Sequence, residues 1–338
     1  MRIDVHGHVS APSALYRYQA SLIAHRGAHA RGGVKVSDEQ IRSAMTEPIP
    51  SHGGISHLTH LDEAGIDIQL LSARPYTMMH SEQPGKIVRW FTEETNTLIR
   101  RVCEQFPDRF RGVAGLPQSP ELGVDQWVAE LQRCVTDFGF VGCLLNPDPY
   151  EGTAQPPDLG DRYWYPVYEA LCELDVPALI HAGSCRPPAR ESYSLHFVQE
   201  STVAVASLVN SEVFTDFPGL KLVISHGGGA IPYQAGRLIA ARAGDKTAGF
   251  LHDLRQLYFD TCLYTQEAVE LLLRTVGPDR CLFGSEKPGT GSHRNPETGR
   301  WFDDVHALIE GVPWLSEADR TLIFEENAAQ LYGIKAGR

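Results

Sequence analysis

The feature that most restricts the fold of this chain is a regular alternation of short apolar runs, rich in β-branched residues, with segments of helix length. Such alternation is typical of parallel strands joined by right-handed crossovers, with the strands buried on both faces. A count of eight runs favours a closed barrel over an open sheet. We therefore predict an α/β protein with a (β/α)8 barrel of the TIM type and strands at 2–5, 67–72, 112–116, 141–146, 178–181, 222–225, 257–260 and 281–285.

Segments with a helical pattern lie between the predicted strands and after the last one. Ser316, followed by Glu317, is a plausible N-cap for the final helix, because a hydroxyl can accept from the first turn and an acid suits its positive end. The predicted helices are 84–106, 121–137, 164–174, 198–215, 232–242, 266–275, 303–311 and 316–332.

The interval between the first two strands is much too long for one helix. Residues 10–56 are rich in Ala, Arg, Gly and His, with helices predicted near 11–24 and 38–46. An insertion after the carboxyl end of a strand overlies the active face of a barrel, so this segment is a candidate lid. No repeat or linker divides the sequence, and we expect residues 1–338 to form one domain.

Charge and composition restrict the class of partner. The chain has 42 acidic and 30 basic residues, a formal net charge of -12, which gives no basic footprint for nucleic acid or an anionic membrane. No apolar run reaches membrane-spanning length, and no signal peptide precedes the first strand. Seven scattered cysteines without a Cys-x-x-Cys pair favour reduced thiols, so we expect a cytoplasmic protein.

Metal-binding side chains stand where predicted strands end. His6 and His8 are two residues apart, so their side chains point to the same side of the pleat, and His181 and Glu286 close two other runs. Because the carboxyl ends of barrel strands share one mouth, these side chains can converge on one ion. Imidazole nitrogens and a carboxylate suit Zn²⁺ or Mn²⁺, with Zn²⁺ favoured, and Glu286 can also accept a proton from bound water.

Two further strand ends carry groups that suit catalysis. His226 precedes three glycines, which permit close backbone approach to a ligand, and we favour a catalytic imidazole over a further metal ligand. Asp260 ends the seventh strand, and we favour a hydrogen bond to a neighbouring histidine over direct ligation.

Four residues are candidates for binding substrate. Arg74, at the end of the second strand, offers a bidentate fork to a carboxylate, the alternative being a salt bridge to a loop acid. Lys287 and Arg294 are further candidates for anion binding, although Arg294 equally fits a solvated loop charge. Asn146 can donate to a substrate oxygen or cap the turn before Pro147.

Motifs from end to end of the chain resemble the amidohydrolase superfamily, specifically its branch typified by aminocarboxymuconate semialdehyde decarboxylase. Each motif is weak alone, but together they are specific for that branch. They are Asp4-Val5-His6-Gly7-His8, Leu61-Asp62-Glu63-Ala64-Gly65-Ile66-Asp67, Ile180-His181, Ser225-His226-Gly227-Gly228-Gly229, Leu282-Phe283-Gly284-Ser285 and Glu326-Asn327-Ala328-Ala329-Gln330-Leu331-Tyr332-Gly333.

Within that branch, Glu286 is similar to the 4-oxalomesaconate hydratases, whereas most decarboxylases carry Asp at the eighth strand. Phe197, Thr265 and Lys287 differ from the residues expected in those hydratases. Three further motifs share the similarity: Asn146-Pro147-Asp148-Pro149, His226-Gly227-Gly228-Gly229-Ala230-Ile231-Pro232-Tyr233 and Asn295-Pro296-Glu297-Thr298-Gly299. The resemblance implies metal ligation by His6, His8, His181 and Glu286. It also implies a small carboxylate substrate from aromatic-acid degradation, and a homodimer.

The leading hypothesis is a metal-dependent lyase that hydrates an unsaturated oxo-polycarboxylate. A metal-dependent decarboxylase of an aromatic or muconate-type acid is the first alternative, and a hydrolase of a lactone or amide is the second. A barrel that only binds or scaffolds is a different class, and the intact ligand set argues against it.

Overall fold

Eight parallel strands form the centre of the structure. The computed structural model describes residues 1–28, 32–186, 193–244 and 249–335. The strands are short and almost wholly buried, as expected of parallel strands covered on both faces. They are β1 (Ile3–His8), β2 (Ile68–Ser72), β3 (Phe110–Gly112), β4 (Cys143–Leu145), β5 (Ala178–Ile180), β6 (Leu222–Ile224), β7 (Tyr258–Asp260) and β8 (Cys281–Leu282).

The strands pair in sequence order and close into a barrel. One parallel ladder joins β1, β2 and β3, and another joins β4 through β8. The ladders meet where Leu144 N donates to Ala114 O (2.8 Å), and β1 returns to β8 where Val5 N donates to Phe283 O (2.9 Å). The predicted (β/α)8 barrel is confirmed.

Several strands end earlier in the structure than the sequence predicted. Beyond β3, Gly115 N donates to the Asn96 side chain (2.8 Å), and beyond β8, Ser285 N donates to Asp4 (2.9 Å). In both places, a side chain rather than a carbonyl of the neighbouring strand accepts the backbone N–H hydrogen bond. The hydrogen-bond ladder therefore ends there, although the chain stays buried. This is why the predictions 112–116 and 281–285 overran Phe110–Gly112 and Cys281–Leu282.

Helices surround the barrel, and most match predicted segments. They are α1 (Ser13–Ala24), α2 (Asp38–Thr46), α3 (His57–Glu63), α4 (Lys86–Gln105), α5 (Val124–Phe138), α6 (Tyr165–Leu174), α7 (Tyr193–Val209), α8 (Val213–Asp216), α9 (Ile231–Ala241), α10 (Phe250–Leu254), α11 (Gln266–Val276), α12 (Val305–Glu310), α13 (Glu317–Thr321) and α14 (Asn327–Leu331). The sequence did not predict α3 or α10, and it merged α7 with α8.

The C-terminal helix predicted at 316–332 forms α13, a π-helical turn at Leu322–Glu326, and α14. Ser316 is its N-cap, as predicted, because the Ser316 hydroxyl accepts from Asp319 N (3.1 Å).

Apolar side chains fill the barrel and the space behind it. On α5, Trp127, Leu131 and Cys134 recur at helical spacing and are buried against the barrel wall. Alternate strand residues form a separate interior layer, as expected for a packed barrel rather than a pore. The strand residues of that layer are Ile3, Val5, Ile68, Leu70, Leu144, Leu179, Val223 and Leu282.

The insertion at 10–56 contains α1 and α2, close to the predicted 11–24 and 38–46. Helix α1 packs on α4, and α2 packs on α3 and α4. Residues 29–31 of this insertion lie outside the described residues.

All seven cysteines lie in the described ranges, and none of them forms a disulfide. In the described ranges, the helices are all too short or too polar to cross a bilayer.

Candidate metal centre

Three histidines from two strands meet at the carboxyl-terminal mouth of the barrel. The Nε2 atoms of His6 and His8 lie 3.2 Å apart, and the His181 ring centroid lies 4.9 Å from that of His6 and 5.3 Å from that of His8. All three side chains are buried. The strand ends of β1 and β5 therefore bring together residues that are distant in sequence.

A hydrogen bond at the opposite ring nitrogen fixes the tautomer of each histidine. His6 Nδ1 donates to Asp260 Oδ2 (2.7 Å), and His181 Nδ1 donates to Ala182 O (2.8 Å). His8 Nδ1 lies 2.8 Å from Ser72 Oγ, whose own proton goes to Gly7 O (2.9 Å). In the neutral form of each ring, Nδ1 holds the proton and Nε2 presents a lone pair.

The Nε2 lone pairs of the three histidines receive no hydrogen bond from the described residues in these tautomers. His181 Nε2 has no hydrogen-bond partner among the described residues, and the facing Nε2 atoms of His6 and His8 are both acceptors in these tautomers. Buried acceptors that face one another at this distance repel unless a cation lies between them. The donor set therefore fits a metal ion.

Glu286 adds a carboxylate to the three imidazoles. Its Oε1 lies 4.0 Å from His8 Nε2, and ligand atoms of His6, His8, His181 and Glu286 all lie within 4.8 Å of one another. The predicted convergence is confirmed. That these four residues ligate an ion stays a prediction.

Backbone contacts hold Glu286 in an unusual conformation. Its φ is +62°, in the left-handed region that costs a residue with a side chain about 1 kcal/mol or more. Glu286 N donates to His6 O (2.8 Å), and the preceding Ser285 donates to Asp4 through N (2.9 Å) and Oγ (2.6 Å). These bonds from β1 fix the direction in which the carboxylate points.

Burial and charge shift the titration of the centre. Burial lowers the pKa of His181 to about 3 and holds the pKa of His8 and His226 well below the usual value, the positive charge of neighbouring histidines adding to the effect. Burial also lowers the pKa of His6, but the Asp260 carboxylate outweighs it and raises that pKa. His8, His181 and His226 are therefore neutral near pH 7.

Asp260 orients His6, as predicted for a residue behind the ligands. Besides the bond from His6 Nδ1, its Oδ1 accepts from Cys262 N (3.0 Å) and Gly227 N (3.3 Å). Burial raises the pKa of Asp260, but the facing His6 more than offsets this and lowers it. The residue stays ionised.

His226 stands beside the three histidines at the edge of the mouth. Its ring centroid lies 4.9 Å from that of His181, and its plane stacks at 8° on the Phe197 ring. Its Nδ1 has no hydrogen-bond partner among the described residues. An oriented, half-buried imidazole of this kind can exchange a proton with a molecule in the mouth.

Arg74 connects the centre to a cavity of about 780 Å³. Its Nη2 donates to Pro288 O (3.1 Å), in the loop that follows Glu286. The insertion at 10–56 supplies most of the lining, including Ser10, Tyr16, Gln40 and His52, and Arg74 and Tyr76 complete it. Arg74 thus stays a substrate-binding prediction, because its partner is a neutral carbonyl rather than a loop acid.

The structure contradicts the prediction that Lys287 binds substrate. The amine is fully buried, 3.1 Å from Asp303 Oδ1, and it also contacts the Asp304 carboxylate. The Lys287 Nζ lies 5.8 Å from the centre of the Trp301 ring. Two carboxylates already neutralise the charge, because the residue after Glu286 points away from the mouth into the loop.

Arg294 and Asn146 also have other partners. The Arg294 side chain is 54% exposed, stacks on Trp301 at 3.9 Å and lies 3.5 Å from Glu63, which fits the solvated loop charge. Both Asn146 amide protons are used, towards Asp148 O (2.9 Å) and His80 Nδ1 (2.8 Å). Asn146 therefore caps its turn and has no proton left for a substrate.

Sequence reasoning missed three residues that contact the centre. Tyr264 donates to Glu286 Oε2 (3.1 Å), Cys262 Sγ lies 3.7 Å from the same oxygen, and Ser72 contacts His8. Ser72 ends β2, and the other two follow β7 within four residues. A search of every strand end, rather than of histidines and carboxylates alone, would have found them.

The chain is similar to known proteins over nearly its whole length. A family model described as Amidohydrolase matches residues 3–334. The 2-keto-4-carboxy-3-hexenedioate hydratase of Sphingobium sp. (strain NBRC 103272 / SYK-6) is 38% identical over 339 residues, which cover 98% of this chain and 96% of that protein. The crystal structure of 4-oxalomesaconate hydratase from Rhodopseudomonas palustris matches with a TM-score of 0.87 at 34% identity, covering 99% of this chain and 96% of that one.

A decarboxylase is also similar. The gamma-resorcylate decarboxylase of Polaromonas sp. (strain JS666 / ATCC BAA-500) is 30% identical over 294 residues, which cover 80% of this chain and 85% of that protein. Similarity to hydratases therefore extends over nearly the whole chain, and similarity to this decarboxylase over four fifths of it.

Proposed function

The chain belongs to the amidohydrolase family, and on that premise we propose that it is a metal-dependent lyase that adds water to an unsaturated oxo-polycarboxylate. The observation that carries the proposal is the convergence of three imidazoles and the Glu286 carboxylate at the barrel mouth. The hydratase relative at 38% identity supports this chemistry over others. A substrate such as 2-keto-4-carboxy-3-hexenedioate has a double bond conjugated to a keto group.

His6, His8, His181 and Glu286 would hold a divalent ion, with Zn²⁺ favoured and Mn²⁺ compatible with the same nitrogen and oxygen donors. When bound, such an ion supplies a positive charge that acidifies water and polarises substrate oxygen atoms. Asp260 and Ser72 keep the histidine tautomers in the form that can ligate.

Hydration forms a C–O bond at the carbon β to the keto group and a C–H bond at the α carbon, with one water consumed. Glu286 takes a proton from the attacking water, and Tyr264 holds the second carboxylate oxygen in place. The electron pair of the double bond moves towards the keto oxygen as an enolate. His226 faces the mouth and can hold or deliver the proton that returns to carbon.

Arg74 and the adjoining cavity would bind the carboxylates of the substrate. A guanidinium at the mouth recognises a carboxylate through a bidentate fork, and the Ser10 hydroxyl and the Gln40 amide are among the other polar groups of the lining. The lining also contains the carboxyl groups of Glu39 and Glu47. The insertion at 10–56 forms the far wall, so we propose that it acts as the lid. The lining has room for a small polycarboxylate.

Decarboxylation is the second candidate, favoured by the decarboxylase relative at 30% identity. In that reaction, the C–C bond to a carboxylate breaks, carbon dioxide leaves, and a proton replaces it at carbon. Glu286, in place of the aspartate implied for that branch by the resemblance, favours hydration. Hydrolysis of a lactone or amide has weaker support, since the relatives described above are hydratases and a decarboxylase.

The test is a panel of unsaturated oxo-polycarboxylates and hydroxybenzoates, with product mass as the readout. Gain of one water by an oxo-polycarboxylate, with loss of the conjugated absorption, is the expected result. Loss of carbon dioxide from a hydroxybenzoate, without hydration of any oxo acid, would contradict the proposal and select the decarboxylase. The Glu286→Gln variant separates enzymatic turnover from spontaneous hydration.

We further propose that residues 1–338 form one domain and that the protein works in the cytoplasm as a homodimer. Seven cysteines without a disulfide among the described residues support a reducing compartment. Sedimentation of the purified chain measures the oligomeric state directly.

A further inference from the structure

A second set of metal-ligating atoms overlaps the first. Ligand atoms of His6, His226 and Cys262 lie within 4.8 Å of one another. Cys262 follows β7, its side chain is buried at 4% exposure, and its Sγ lies 3.7 Å from Glu286 Oε2 and 3.8 Å from the Tyr264 hydroxyl. The chain therefore places a thiol at the rim of the centre, next to an imidazole.

The two sets compete for one histidine nitrogen. His6 Nδ1 is bound to Asp260 at 2.7 Å, so only His6 Nε2 remains for an ion. An ion held by His6, His8, His181 and Glu286 thus excludes one held by His6, His226 and Cys262. Because His226 Nδ1 has no hydrogen-bond partner among the described residues, ligation at that atom would break no existing bond.

The sets differ in chemical softness. The first offers three imidazoles and a carboxylate, which Mn²⁺ and Zn²⁺ both accept, whereas the second replaces the carboxylate with a thiolate. Thiolate sulfur selects soft, thiophilic ions and is disfavoured by hard ions. The identity of the ion therefore decides which position it prefers.

We propose that Cys262 is a thiolate ligand that draws divalent ions softer than Zn²⁺, such as Cd²⁺, to a second position, held with His6 and His226. The inference rests on the proposed metal centre and adds an alternative position to it. The thiol loses its proton to solvent when the metal–sulfur bond forms. An ion at this position leaves His8 and His181 without their cation and occupies the imidazole that handles the returning proton. Ions much softer than Zn²⁺, such as Cd²⁺, therefore inhibit the enzyme, while Mn²⁺ does not.

The test is a titration of the purified full-length chain with Cd²⁺, followed by ultraviolet difference absorption. Thiolate-to-cadmium charge transfer is expected to rise to one equivalent per chain, and Mn²⁺ gives no such band. Cys262→Ser is expected to lose the band and to bind Cd²⁺ at least about 10-fold more weakly, with Mn²⁺ affinity changed less than about twofold. His226→Gln keeps the thiol, removes a ligand, and is expected to weaken Cd²⁺ binding by a similar factor.

Cys143→Ser is the matched control, because Cys143 is an equally buried thiol on β4 and should keep the full band. A band that persists in Cys262→Ser, or stoichiometric Cd²⁺ binding without a band, overturns the proposal and leaves the first ligand set intact. Failure of the chain to bind either Cd²⁺ or Mn²⁺ overturns both the proposal and the metal centre. None of these readouts depends on the substrate.

Discussion

Two buried polar regions, built around the consecutive residues Glu286 and Lys287, differ in how their charges are satisfied. The strand-end centre gathers imidazoles and Glu286 with unprotonated nitrogens facing each other. The loop behind it buries Lys287 against Asp303 and Asp304, so its cation is supplied by the chain. Within the described part of the chain, no lysine or arginine forms an ion pair with Glu286, whereas Lys287 supplies the cation of the second region. This difference distinguishes a site for an external ion from a structural ion pair.

Glu286→Gln tests the first region with the largest expected effect. The amide keeps the shape but loses the charge and the basic oxygen, so turnover should fall about 10³-fold or more. Steady-state hydration kinetics provide the measurement. Glu130→Gln is the control, since Glu130 is a buried carboxylate on α5 paired with Arg133, and it should retain activity. Near-normal turnover in Glu286→Gln would refute its role as base.

Lys287→Met tests the second region. Removing the amine leaves two carboxylates without a counterion, and the free energy of unfolding should fall by about 3–5 kcal/mol. Urea denaturation measures this change. The triple variant Lys287→Met, Asp303→Asn, Asp304→Asn removes the whole ion pair and should recover most of the loss. A single variant as stable as the wild type would show that the ion pair is not structural.

Ser72→Ala sharpens the comparison at the edge of the centre. The Ser72 hydroxyl contacts His8 Nδ1 and so selects the tautomer that leaves Nε2 unprotonated. Its loss should weaken metal affinity about 10- to 100-fold, as measured by competition with a chromogenic chelator. Thr95→Val, which removes a buried hydroxyl that bonds within α4, should leave the affinity unchanged. Equal metal affinities for the wild type, Ser72→Ala and Thr95→Val would show that Ser72 does not support metal binding.

The smallest predicted effect is that of His57 on how the free energy of unfolding depends on pH. Burial lowers the pKa of His57 to about 3, against 6.5 for an unperturbed histidine. As pH falls, His57 becomes protonated in the unfolded chain near pH 6.5 but in the folded protein only near pH 3. The free energy of unfolding therefore decreases over this range, by up to about 1.4 kcal/mol per pH unit. His57→Gln should therefore lose about 2 kcal/mol less than the wild type between pH 7 and pH 5 in urea titrations. Parallel losses in the two proteins would contradict this.

The same contrast explains what the sequence could predict. Strand ends in a parallel barrel share one edge, so His6, His8, His181 and Glu286 were located from spacing and apolar runs alone. Asp260 was assigned to its histidine for the same reason. Periodicity likewise located most helices, and Ser316 as a cap.

For loop residues, no spacing or periodicity in the sequence indicates where a side chain points. Lys287, Arg294 and Asn146 stand near the mouth in sequence, but each side chain turns to partners that no periodicity reveals. The role of Lys287 was predicted wrongly because its partners, Asp303 and Asp304, lie at the far end of the loop that follows β8, and no sequence pattern connects them to it. Cys262 and Tyr264 were missed because a thiol and a phenol after a strand are also common core residues.

X-ray diffraction from crystals of the purified protein, recorded on both sides of the absorption edge of the metal it contains, tests the central claim most directly. The account predicts one anomalous peak per chain, within coordinating distance of the Nε2 atoms of His6, His8 and His181 and of the Glu286 carboxylate. No peak among those atoms in protein supplied with Zn²⁺ or Mn²⁺, or a peak only elsewhere on the chain, would contradict it.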